Sequence, residues 1–445
     1  MTTLTGWGRT QPSVATVVTP RTEDEVADVL AHATRGVIAR GLGRSYGDAA
    51  QVAGGVVIDN RGLDGLGAIG PDGLVTLGAG VSIEALLADA VPKGWFVPVS
   101  PGTRQVTIGG AIAADVHGKN HHVDGAFCQH VTSMRLVAPS GARTVSTSQD
   151  PAAFWGTAGG MGLTGVVTEA TVRLLAIETD QVLVDTDRCS DLDETMAAMA
   201  EGDDARRYSV AWLDCMAGGA KMGRAVLTRA DHARVEDLPA ARRDRPLAAP
   251  RPAPLKVPFP APSGLLNRAS IRAFNEAWFR KAPRHRRDEL VSLGAFFHPL
   301  DFVRDWNLLY GARGVVQYQL AVPTGREDAV RSAVELLSSS GVPSFLAVLK
   351  RFGPADEGLL SFPIEGWTLA LDVPVGPPQL PGVLDQLDEL VAGAGGRVYL
   401  AKDARLDPSL LAAMYPRLGE LAAVRDRLDP AGVLASDLAR RLGIG

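Results

Sequence analysis

The chain has 445 residues and a net charge of −5, with 46% hydrophobic and 21% charged residues. This is ordinary globular composition, the length allows two or three domains, and the negative balance argues against a broad nucleic-acid surface. Three cysteines, Cys128, Cys189 and Cys215, are too few and too scattered for a disulfide framework or a zinc cluster. We expect buried, reduced thiols and no metal site.

The N-terminus, M-T-T-L-T-G-W-G-R-T-Q-P, has no cationic segment followed by an apolar one. No later stretch approaches the ~18 consecutive apolar residues of a membrane span. The sequence therefore predicts neither a signal peptide nor a transmembrane span. We expect a cytoplasmic protein or one peripheral to the inner membrane, with the periplasmic face left open.

The first third of the chain reads as strands and short helices separated by glycines. Thr22 precedes three acidic residues and an apolar periodicity, which predicts a helix that extends to Ala33. Ser82 is the predicted cap of a second helix that ends near Ala90. Short apolar runs predict strands at 36–40, 56–59 and 74–78.

A turn rich in glycine, A-R-G-L-G-R-S-Y-G-D-A at 39–49, follows the first of these strands. Glycine allows backbone N–H groups to turn toward an anion, so this turn can cradle phosphate. It does not match a Rossmann fingerprint, because Tyr46 stands where the third glycine should be. The short interval before the strand at 56–59 also leaves no room for a crossover helix.

Two further glycine clusters follow. Thr107 to Gly110 leads into small residues, which predicts a tight helix start whose N–H groups are free for an anion. Gly159 to Gly165 precedes a predicted strand at 166–174. A single glycine-rich loop is more often a structural turn, but three in one domain indicate one extended ligand, a dinucleotide.

From about Ala176 longer strands and amphipathic helices predict a second domain. Within it, the proline-dense stretch from Pro246 to Pro262 is predicted to be a flexible surface loop. The run from Val315 to Val322 reads as a strand, and its alternation puts Gln317 and Gln319 on one face and Tyr318 on the other.

Several stretches resemble a known family and extend almost end to end: L-T-G-W-G-R-T at 4–10, the turn at 39–48, P-G-T-R-Q-V-T-I-G-G-A-I-A at 101–113, H-G-K-N-H-H at 117–122, Y-L-A-K-D-A-R at 399–405 and A-S-D-L-A-R-R-L at 435–442. The chain resembles the flavin subunits of decaprenylphosphoryl-β-D-ribose 2-epimerase, within the vanillyl-alcohol oxidase type of FAD enzymes. The resemblance implies a two-domain α+β fold. Residues 1–175 would bind FAD, 176–405 would form the substrate domain with flexible loops near 246–262 and 295–312, and 406–445 would return to the first domain.

The resemblance also implies which residues hold FAD. They are Ala39, Arg40, Gly41, Leu42, Gly43, Arg44, Ser45, Tyr46, Gly47, Asp48, Ala49, Gly102, Thr107, Ile108, Gly109, Gly110, Ala114, Asp115, Val116, His117, Val167 and Tyr399. Many relatives attach the flavin covalently through a histidine in the first loop, where this chain has Arg44. An arginine cannot form that bond, so we expect FAD held without a covalent link.

Oxidation of a secondary alcohol passes a hydride to flavin N5 while the hydroxyl proton leaves, so the site needs a base or a proton relay. The resemblance makes Lys402 the first catalytic candidate and His117 the second. Without the resemblance, a surface ion pair would be favoured for Lys402, which is followed by Asp403 and Arg405. A metal role for His117 and His121 is not favoured, because no H-E-x-x-H pattern is present.

The expected substrate-binding residues are Gln317, Gln319, Tyr310, Lys119, Trp212 and Ala370. Glutamine amides facing a sugar could hydrogen-bond its hydroxyls, although buried glutamines usually satisfy one another or the backbone. A core role is as plausible as a pocket role for Tyr46 and Trp212. Close relatives have a cysteine where this chain has Ala370, so covalent inhibitors that capture the thiol should not act here. Thr368 replaces an expected asparagine.

The implied substrate carries a long polyprenyl tail, and peripheral membrane contact is therefore expected. The stretch from Ala295 to Tyr310 contains Phe296, Phe297 and Trp306 with few charges. It is predicted to be either a buried amphipathic helix or a mobile lid that touches lipid, together with the loop at 246–262.

The sequence thus predicts oxidation of the ribose 2-hydroxyl of a polyprenyl-phosphoryl sugar to a 2-keto intermediate, with a separate NADH-dependent reductase completing the epimerisation toward the arabinose donor of the cell wall. A sugar-lactone or alditol oxidase of the same fold is the alternative enzyme. A non-catalytic sugar or lipid binding protein on a degenerate flavin scaffold is the alternative outside enzymes.

Overall fold

The computed structural model describes residues 1–250, 254–262, 264–344 and 346–444. Its strands are β1 Thr2–Leu4, β2 Ser13–Val18, β3 Val37–Arg40, β4 Val56–Asp59, β5 Leu74–Gly78, β6 Trp95–Phe96, β7 Val131–Ala138, β8 Gly141–Val145, β9 Val166–Arg173, β10 Leu175–Ala176, β11 Gln181–Cys189, β12 Tyr208–Leu213, β13 Ala225–His232, β14 Leu255–Lys256, β15 His285–Ser292, β16 Val303–Arg304, β17 Val315–Pro323, β18 Ala347–Phe352, β19 Gly366–Pro374 and β20 Arg397–Val398. The described helices are α1 Glu23–His32, α2 Ile83–Ala90, α3 Ile108–Ala113, α4 His121–Asp124, α5 Pro151–Thr157, α6 Leu192–Gly202, α7 Arg268–Lys281, α8 Leu293–Phe297, α9 Glu327–Ser340, α10 Leu380–Gly393, α11 Pro408–Met414, α12 Leu418–Leu428 and α13 Asp437–Leu442.

The first part of the chain forms two four-stranded sheets, in the orders β1-β2-β4-β3 and β5-β9-β7-β8. In the first sheet β2, β4 and β3 are parallel, whereas the second sheet is antiparallel. The predicted helix caps are confirmed, since the Thr22 side chain accepts from Glu25 N and the Ser82 side chain accepts from Ala85 N. The strands predicted at 56–59 and 74–78 also have the predicted bounds.

The second part is built on an eight-stranded antiparallel sheet, in the order β15-β11-β13-β12-β18-β19-β17-β20. Helices α6, α9 and α10 pack on this sheet. The Tyr318 hydroxyl on β17 donates to Asp388 on α10, whereas Gln319 reaches His117 in the first part. The predicted alternation of β17 is therefore confirmed, and the face that carries Gln319 is the one turned toward the first part. The α+β architecture is as predicted.

The C-terminal segment packs on the first part of the chain. Ala435 N donates to Val37 O at 3.0 Å, and the Arg441 guanidinium holds the Asp48 carboxylate at 2.9 Å. These contacts support the predicted domain limits at 175 and 405, which we keep as a proposal. None of the described helices combines the length and apolar character that crossing a membrane requires. All three cysteines are free and buried, as predicted.

The stretch from 295 to 310 is not one amphipathic helix. It contains the end of α8, a 3-10 turn at Pro299–Phe302, the short strand β16 and a second 3-10 turn at Trp306–Tyr310. Pro299 starts the first turn, and Asp305 has a left-handed φ of 54° before the second, so a continuous helix is interrupted twice.

The phenyl rings for which lipid contact was one alternative lie inside the protein. Phe296 and Phe297 are only 7% and 2% exposed, and the Phe297 ring lies 4.9 Å from that of Phe96. The Trp306 ring is packed edge-on against Trp7 at 5.8 Å. Of the two alternatives left open for this stretch, burial of Phe296 and Phe297 is therefore confirmed, because these side chains join the core, and lipid contact through them is not supported.

The proline-dense loop is only partly described, because residues 251–253 lie outside the described ranges. Its described remainder has little regular structure. The short strand β14 pairs in parallel with β16, and Ala261 N donates to Leu308 O at 2.9 Å. Both predicted loops near 246–262 and 295–312 therefore pack against each other.

Candidate active site

The glycine-rich turn after β3 is braced from inside by Arg40. Its guanidinium donates to Thr5 O at 2.7 Å and to Ala50 O at 3.0 Å, which ties both ends of the turn together. Gly43 has a φ of +64°, and a Cβ there would come within 3.0 Å of this guanidinium. Gly43 is thus required by both conformation and space. The Arg40 side chain supports the turn instead of facing outward.

The backbone of this turn forms an open cradle. Within the described ranges, the N–H groups from Leu42 to Ser45 meet no protein acceptor. A Cβ on Gly41 would approach the Thr107 hydroxyl to less than 3.0 Å, so only glycine allows the turn to lie against α3. Unpaired, outward-facing N–H groups beside glycines are the donors that a diphosphate needs. The residues present fit the diphosphate of FAD.

Two side chains of the turn are engaged by other parts of the protein, and Arg44 also donates to Leu42 O of the turn at 3.4 Å. The Arg44 guanidinium lies 4.0 Å over the Trp7 ring, and burial lowers its pKa. The Asp48 carboxylate is 4% exposed and accepts from Arg441. Asp48 therefore anchors helix α13 through its side chain, and a role for it at FAD would be confined to its backbone.

The expected anion site at the start of α3 is not present. Ile108 N donates to Val81 O at 2.9 Å, Gly109 N to Ala79 O at 2.8 Å, and Gly110 N to the Thr107 hydroxyl at 3.2 Å. The helix starts tightly, as predicted, but against the segment before α2 and not with free N–H groups. Thr107 to Gly110 thus serve the packing of α3, and Gly102 nearby is exposed with open space around its Cα.

Residues after α3 connect the two parts of the chain. The Tyr399 hydroxyl donates to Ala114 O at 2.7 Å, and its ring stacks on Phe362 at 4.6 Å. Tyr399 therefore reaches the first part from the second, as expected. Val116 and Val167 are buried at 8% and 6% exposure.

Asp115 is fully buried and has a φ of +39°. Its carboxyl accepts from Cys128 N at 2.9 Å and is hydrogen-bonded to the Ser361 hydroxyl. Burial, with Asp356 as the nearest charged neighbour, raises the pKa of Asp115 well above its usual range. The carboxyl group therefore holds its proton more strongly than an ordinary aspartate, and it fastens the loop before His117 to residue 361.

Lys402 and Asp372 form the centre of one half of the site. The Lys402 ammonium lies 4.5 Å over the Tyr46 ring, while burial lowers its pKa to about 8 and Asp372 opposes that shift. Burial raises the pKa of Asp372 to about 6, with Gln317, Lys402 and Tyr310 holding it down. Between these two values the pair is a carboxylate and an ammonium, and the charges stabilise each other.

Gln317 links this pair to the glycine-rich turn. Its amide nitrogen donates to the Tyr46 hydroxyl at 3.1 Å and to the Asp372 carboxylate. The Tyr310 hydroxyl donates to the same carboxylate at 3.4 Å. Gln317, Tyr310, Tyr46 and Lys402, four of the predicted site residues, are thus brought together around one buried carboxylate.

His117 occupies the other half of the site, in a chain of hydrogen bonds. Thr368 Oγ1 donates to Leu320 O at 2.7 Å, so its lone pairs accept from Gln319 Nε2 at 3.1 Å. Gln319 Nε2 also lies 2.9 Å from His117 Nε2, which this orientation makes the acceptor. His117 Nδ1 then carries the proton and faces Lys350 Nζ at 3.1 Å.

Lys350 is able to accept that proton because burial, with Lys119 and Lys402 adding repulsion, lowers its pKa to about 7. Burial and the Lys350 charge also hold the pKa of His117 well below its usual range. The imidazole is therefore neutral near pH 7, and the amine is close to its own midpoint. Such a pair can take up or release one proton under physiological conditions.

The remaining predicted substrate residues lie on the same sheet face or next to it. Ala370 pairs with Gln319 on β17 and with Val348 on β18, and Val348 pairs with Trp212 on β12. Directly paired residues share a face, so Trp212, Ala370 and Gln319 form one row across the sheet. Lys119 instead turns toward α8, where its ammonium donates to Phe296 O and lies 4.1 Å over the Phe296 ring.

Two charged residues of the site were not predicted from the sequence. Lys350 and Asp372 each interrupt an apolar strand, in A-V-L-K-R-F and in W-T-L-A-L-D-V-P, and they are 9% and 0% exposed. Charged side chains are seldom fully buried unless they are paired, so buried charges within apolar strands indicate a functional site. That signal was available, because Asp372 shares the alternation of Ala370 and Thr368.

Comparison with known proteins agrees with this geometry. A family model described as FAD binding domain matches residues 14–147, and one described as D-arabinono-1,4-lactone oxidase matches residues 379–442. Decaprenylphosphoryl-beta-D-ribose oxidase of Mycolicibacterium smegmatis is 43% identical over 99% of this chain and 97% of that protein. The chain belongs to the decaprenylphosphoryl-β-D-ribose oxidase family. It is an FAD-dependent oxidoreductase.

Two other relatives show how specific this family assignment is. L-gulono-1,4-lactone dehydrogenase of Mycobacterium tuberculosis is 26% identical over 96% of this chain and 95% of its own length. An uncharacterised protein of Streptomyces coelicolor is 41% identical over 82% of this chain and 100% of its own. Lactone-oxidising relatives are thus much less similar than the ribose oxidase.

Proposed function

We propose that the protein oxidises the ribose 2-hydroxyl of decaprenylphosphoryl-β-D-ribose to a 2-keto sugar, the first half of the epimerisation toward an arabinose donor. The M. smegmatis relative, at 43% identity over nearly the whole chain, supports this substrate. The observation that carries the proposal is that Gln317 and Gln319, on one face of β17, join Lys402 above Tyr46 of the glycine-rich turn to His117, since Gln317 donates to Tyr46 and Gln319 is hydrogen-bonded to His117.

FAD, when bound, accepts the hydride from the carbinol carbon at its N5 atom. The turn at 41–45 would hold the diphosphate through its backbone, and Tyr399 and Ala114 would lie along the rest of the cofactor. Arg44 stands where a covalent link would need a histidine, so FAD is held without a covalent bond.

Around the sugar, Gln317 and Gln319 offer their amide oxygens to its hydroxyls, because both N–H groups of each amide are already engaged within the protein. Ala370, the smallest side chain of its row, lies between them and Trp212. Lys402, as an ammonium, stabilises the negative charge that develops in the reaction. The hydroxyl proton passes to His117 Nε2, where it replaces the hydrogen bond from Gln319, while His117 Nδ1 gives its own proton to Lys350 Nζ, whose pKa is about 7. This arrangement provides the relay that alcohol oxidation requires.

The product is a 2-keto sugar, which must be reduced on the opposite face to complete an epimerisation. An NADH-dependent keto-reductase is therefore the expected partner. Since the substrate is borne by a lipid, the protein must also contact a membrane surface to reach it.

Anaerobic mixing with the purified yellow holoenzyme tests the substrate. Polyprenyl-phosphoryl-ribose should bleach the flavin absorbance, whereas free alditols and sugar lactones should not. The match of residues 379–442 to a lactone oxidase model makes lactone oxidation the second candidate. Bleaching by the lactones or alditols alone would refute the ribose assignment in its favour.

A further inference from the structure

Helix α7, Arg268–Lys281, exposes aromatic side chains although it is anchored to the protein. Its buried residues are Ile271 and Asn275, and Asn275 donates to Asp214 Oδ1 at 2.8 Å. Phe274 and Trp278 lie along one edge of this buried stripe, are 46% and 45% exposed, and have their rings stacked at 6.1 Å. Exposing two aromatic rings to water is unfavourable in free energy, and contact with a partner surface would remove this unfavourable exposure.

The same segment is the most basic part of an acidic chain. Residues 268–287 contain seven Arg and Lys and one Glu, a net charge of +6, whereas the whole chain carries −5. Within the described structure, four of these cations form no ion pair with a carboxylate, namely Arg268, Arg272, Lys281 and Arg284. Unpaired cations beside exposed aromatic rings complement the phosphates and the interfacial zone of an anionic bilayer.

Further exposed apolar side chains lie just before this helix and on the paired strands β14 and β16. Leu265 is 51% exposed just before α7, and its carbonyl accepts from the Ser270 hydroxyl of the first turn. Phe302 is 58% exposed and stands next to β16, whose partner β14 begins with the exposed Leu255. Among the described residues, six of the ten large exposed apolar side chains fall between 255 and 302, so this surface is not a random scatter.

The helix also borders the proposed substrate face. The Trp278 ring meets Trp212 edge-on at 6.5 Å, and Trp212 lies in the same row as Ala370 and Gln319. Arg224 holds Asp214 and Glu276 at 2.7 Å each, which fixes α7 to the strands that carry Trp212. A ligand that leaves the sheet face past Trp212 therefore emerges beside Phe274 and Trp278.

We propose that α7 is the surface with which the protein docks on an anionic lipid bilayer. Phe274 and Trp278 enter the interfacial zone, and Arg268, Lys281 and Arg284 contact lipid phosphates. This inference rests on the proposed function, because a lipid-borne substrate gives the bilayer its role. It places the membrane contact on α7 and not on the buried rings of α8.

Vesicle flotation of the holoenzyme tests the docking directly. Vesicles of phosphatidylcholine with about one third phosphatidylglycerol should carry the wild-type protein, and vesicles of phosphatidylcholine alone should carry far less. The variant Arg268→Gln/Lys281→Gln/Arg284→Gln should lose about 100-fold in partitioning at low salt, from the usual contribution of three surface cations. The variant Phe274→Ser/Trp278→Ser should also lose binding, whereas Leu66→Ser, which changes an exposed apolar residue elsewhere, should not.

Activity separates this proposal from the proposed function. The triple-cation variant should oxidise decaprenylphosphoryl-ribose in vesicles more slowly but a water-soluble short-chain analogue at the wild-type rate. A wild-type protein that binds the vesicles but oxidises neither substrate would refute the function and leave the docking intact. Equal flotation of the wild type and both variants would overturn the docking proposal. If the variants instead changed the monomer–dimer equilibrium in sedimentation, without any change in flotation, the helix would be a contact between two copies of the chain.

Discussion

Replacing Asp372 by Asn tests the charge state of Lys402. The substitution keeps the shape and the hydrogen-bonding oxygen that Gln317 uses, but it removes the negative charge. Burial already lowers the pKa of Lys402 from 10.5 to about 8, and Asp372 is the charge that raises it. Without Asp372 the pKa of Lys402 must fall further, because nothing then offsets the desolvation of the ammonium.

The magnitude follows from the position of this pKa. With a pKa of about 8, half of the Lys402 side chains are protonated at pH 8. A further drop of roughly one unit, equivalent to about 1.4 kcal/mol, would leave about one tenth protonated at pH 8 and about one half at pH 7. If the ammonium is the active form, Asp372→Asn should lose about 5-fold in rate at pH 8 and about 2-fold at pH 7.

The assay is the pH dependence of flavin reduction by substrate in anaerobic single-turnover mixing. Wild type should lose activity as the pH rises through about 8, and Asp372→Asn should lose it about one pH unit earlier. Asp388→Asn is a matched control, since Asp388 is a buried carboxyl on the opposite side of the sheet, bound by Tyr318 and Arg405. A rate that rises through pH 8 would refute the reasoning and make the neutral amine a base.

Three further predictions concern the cradle, the sheet face and the buried acid. Gly41→Ala should release FAD and lower the melting temperature, because its Cβ would overlap the Thr107 hydroxyl. Gly419→Ala, whose Cβ would have no atom within 4 Å, should do neither. An unchanged ratio of flavin absorbance to protein in Gly41→Ala would contradict the role of the turn in holding FAD. Ala370→Cys should add one thiol that reacts slowly under native conditions, counted with a chromogenic disulfide, since Ala370 is 8% exposed and the three native cysteines are only 1–2% exposed; no gain in thiol count would show that the position is closed. The wild type should become less stable as the pH rises above about 4, because the native Asp115 carboxyl keeps a proton that the unfolded one releases near its ordinary pKa of 3.8. In Asp115→Asn this pH dependence should be absent. Equal slopes of melting temperature against pH in the two proteins would count against the raised pKa of Asp115.

The local signals in the sequence were sufficient for much of the fold. Thr22 and Ser82 cap the helices they were predicted to cap, because a side-chain oxygen before an apolar periodicity has few other uses. The alternation that separated Gln317 and Gln319 from Tyr318 is a property of any strand. Each of these predictions depends on residues within a few positions of one another.

The errors and the open alternatives arose where distant segments decide the outcome. The N–H groups at the start of α3 looked free from the sequence, but residues 79–81 supply their acceptors. Phe296 and Phe297 could be read as buried or as lipid-facing, and Phe96 and Tyr208 decide the matter by packing against the Phe297 ring. No local pattern distinguishes an apolar residue that meets lipid from one that meets a strand of the same protein.

The proton chemistry of the site depends even more on distant contacts. Lys350 and Lys402 are ordinary lysines in the sequence, yet burial brings their pKa values to about 7 and about 8. The two values differ because Asp372 offsets the desolvation of Lys402, whereas Lys350 has cationic neighbours and a neutral imidazole. Lys402 is therefore kept charged, whereas Lys350 is able to accept a proton. This difference between two lysines exists only once β18, β19 and the 399–405 segment have packed together.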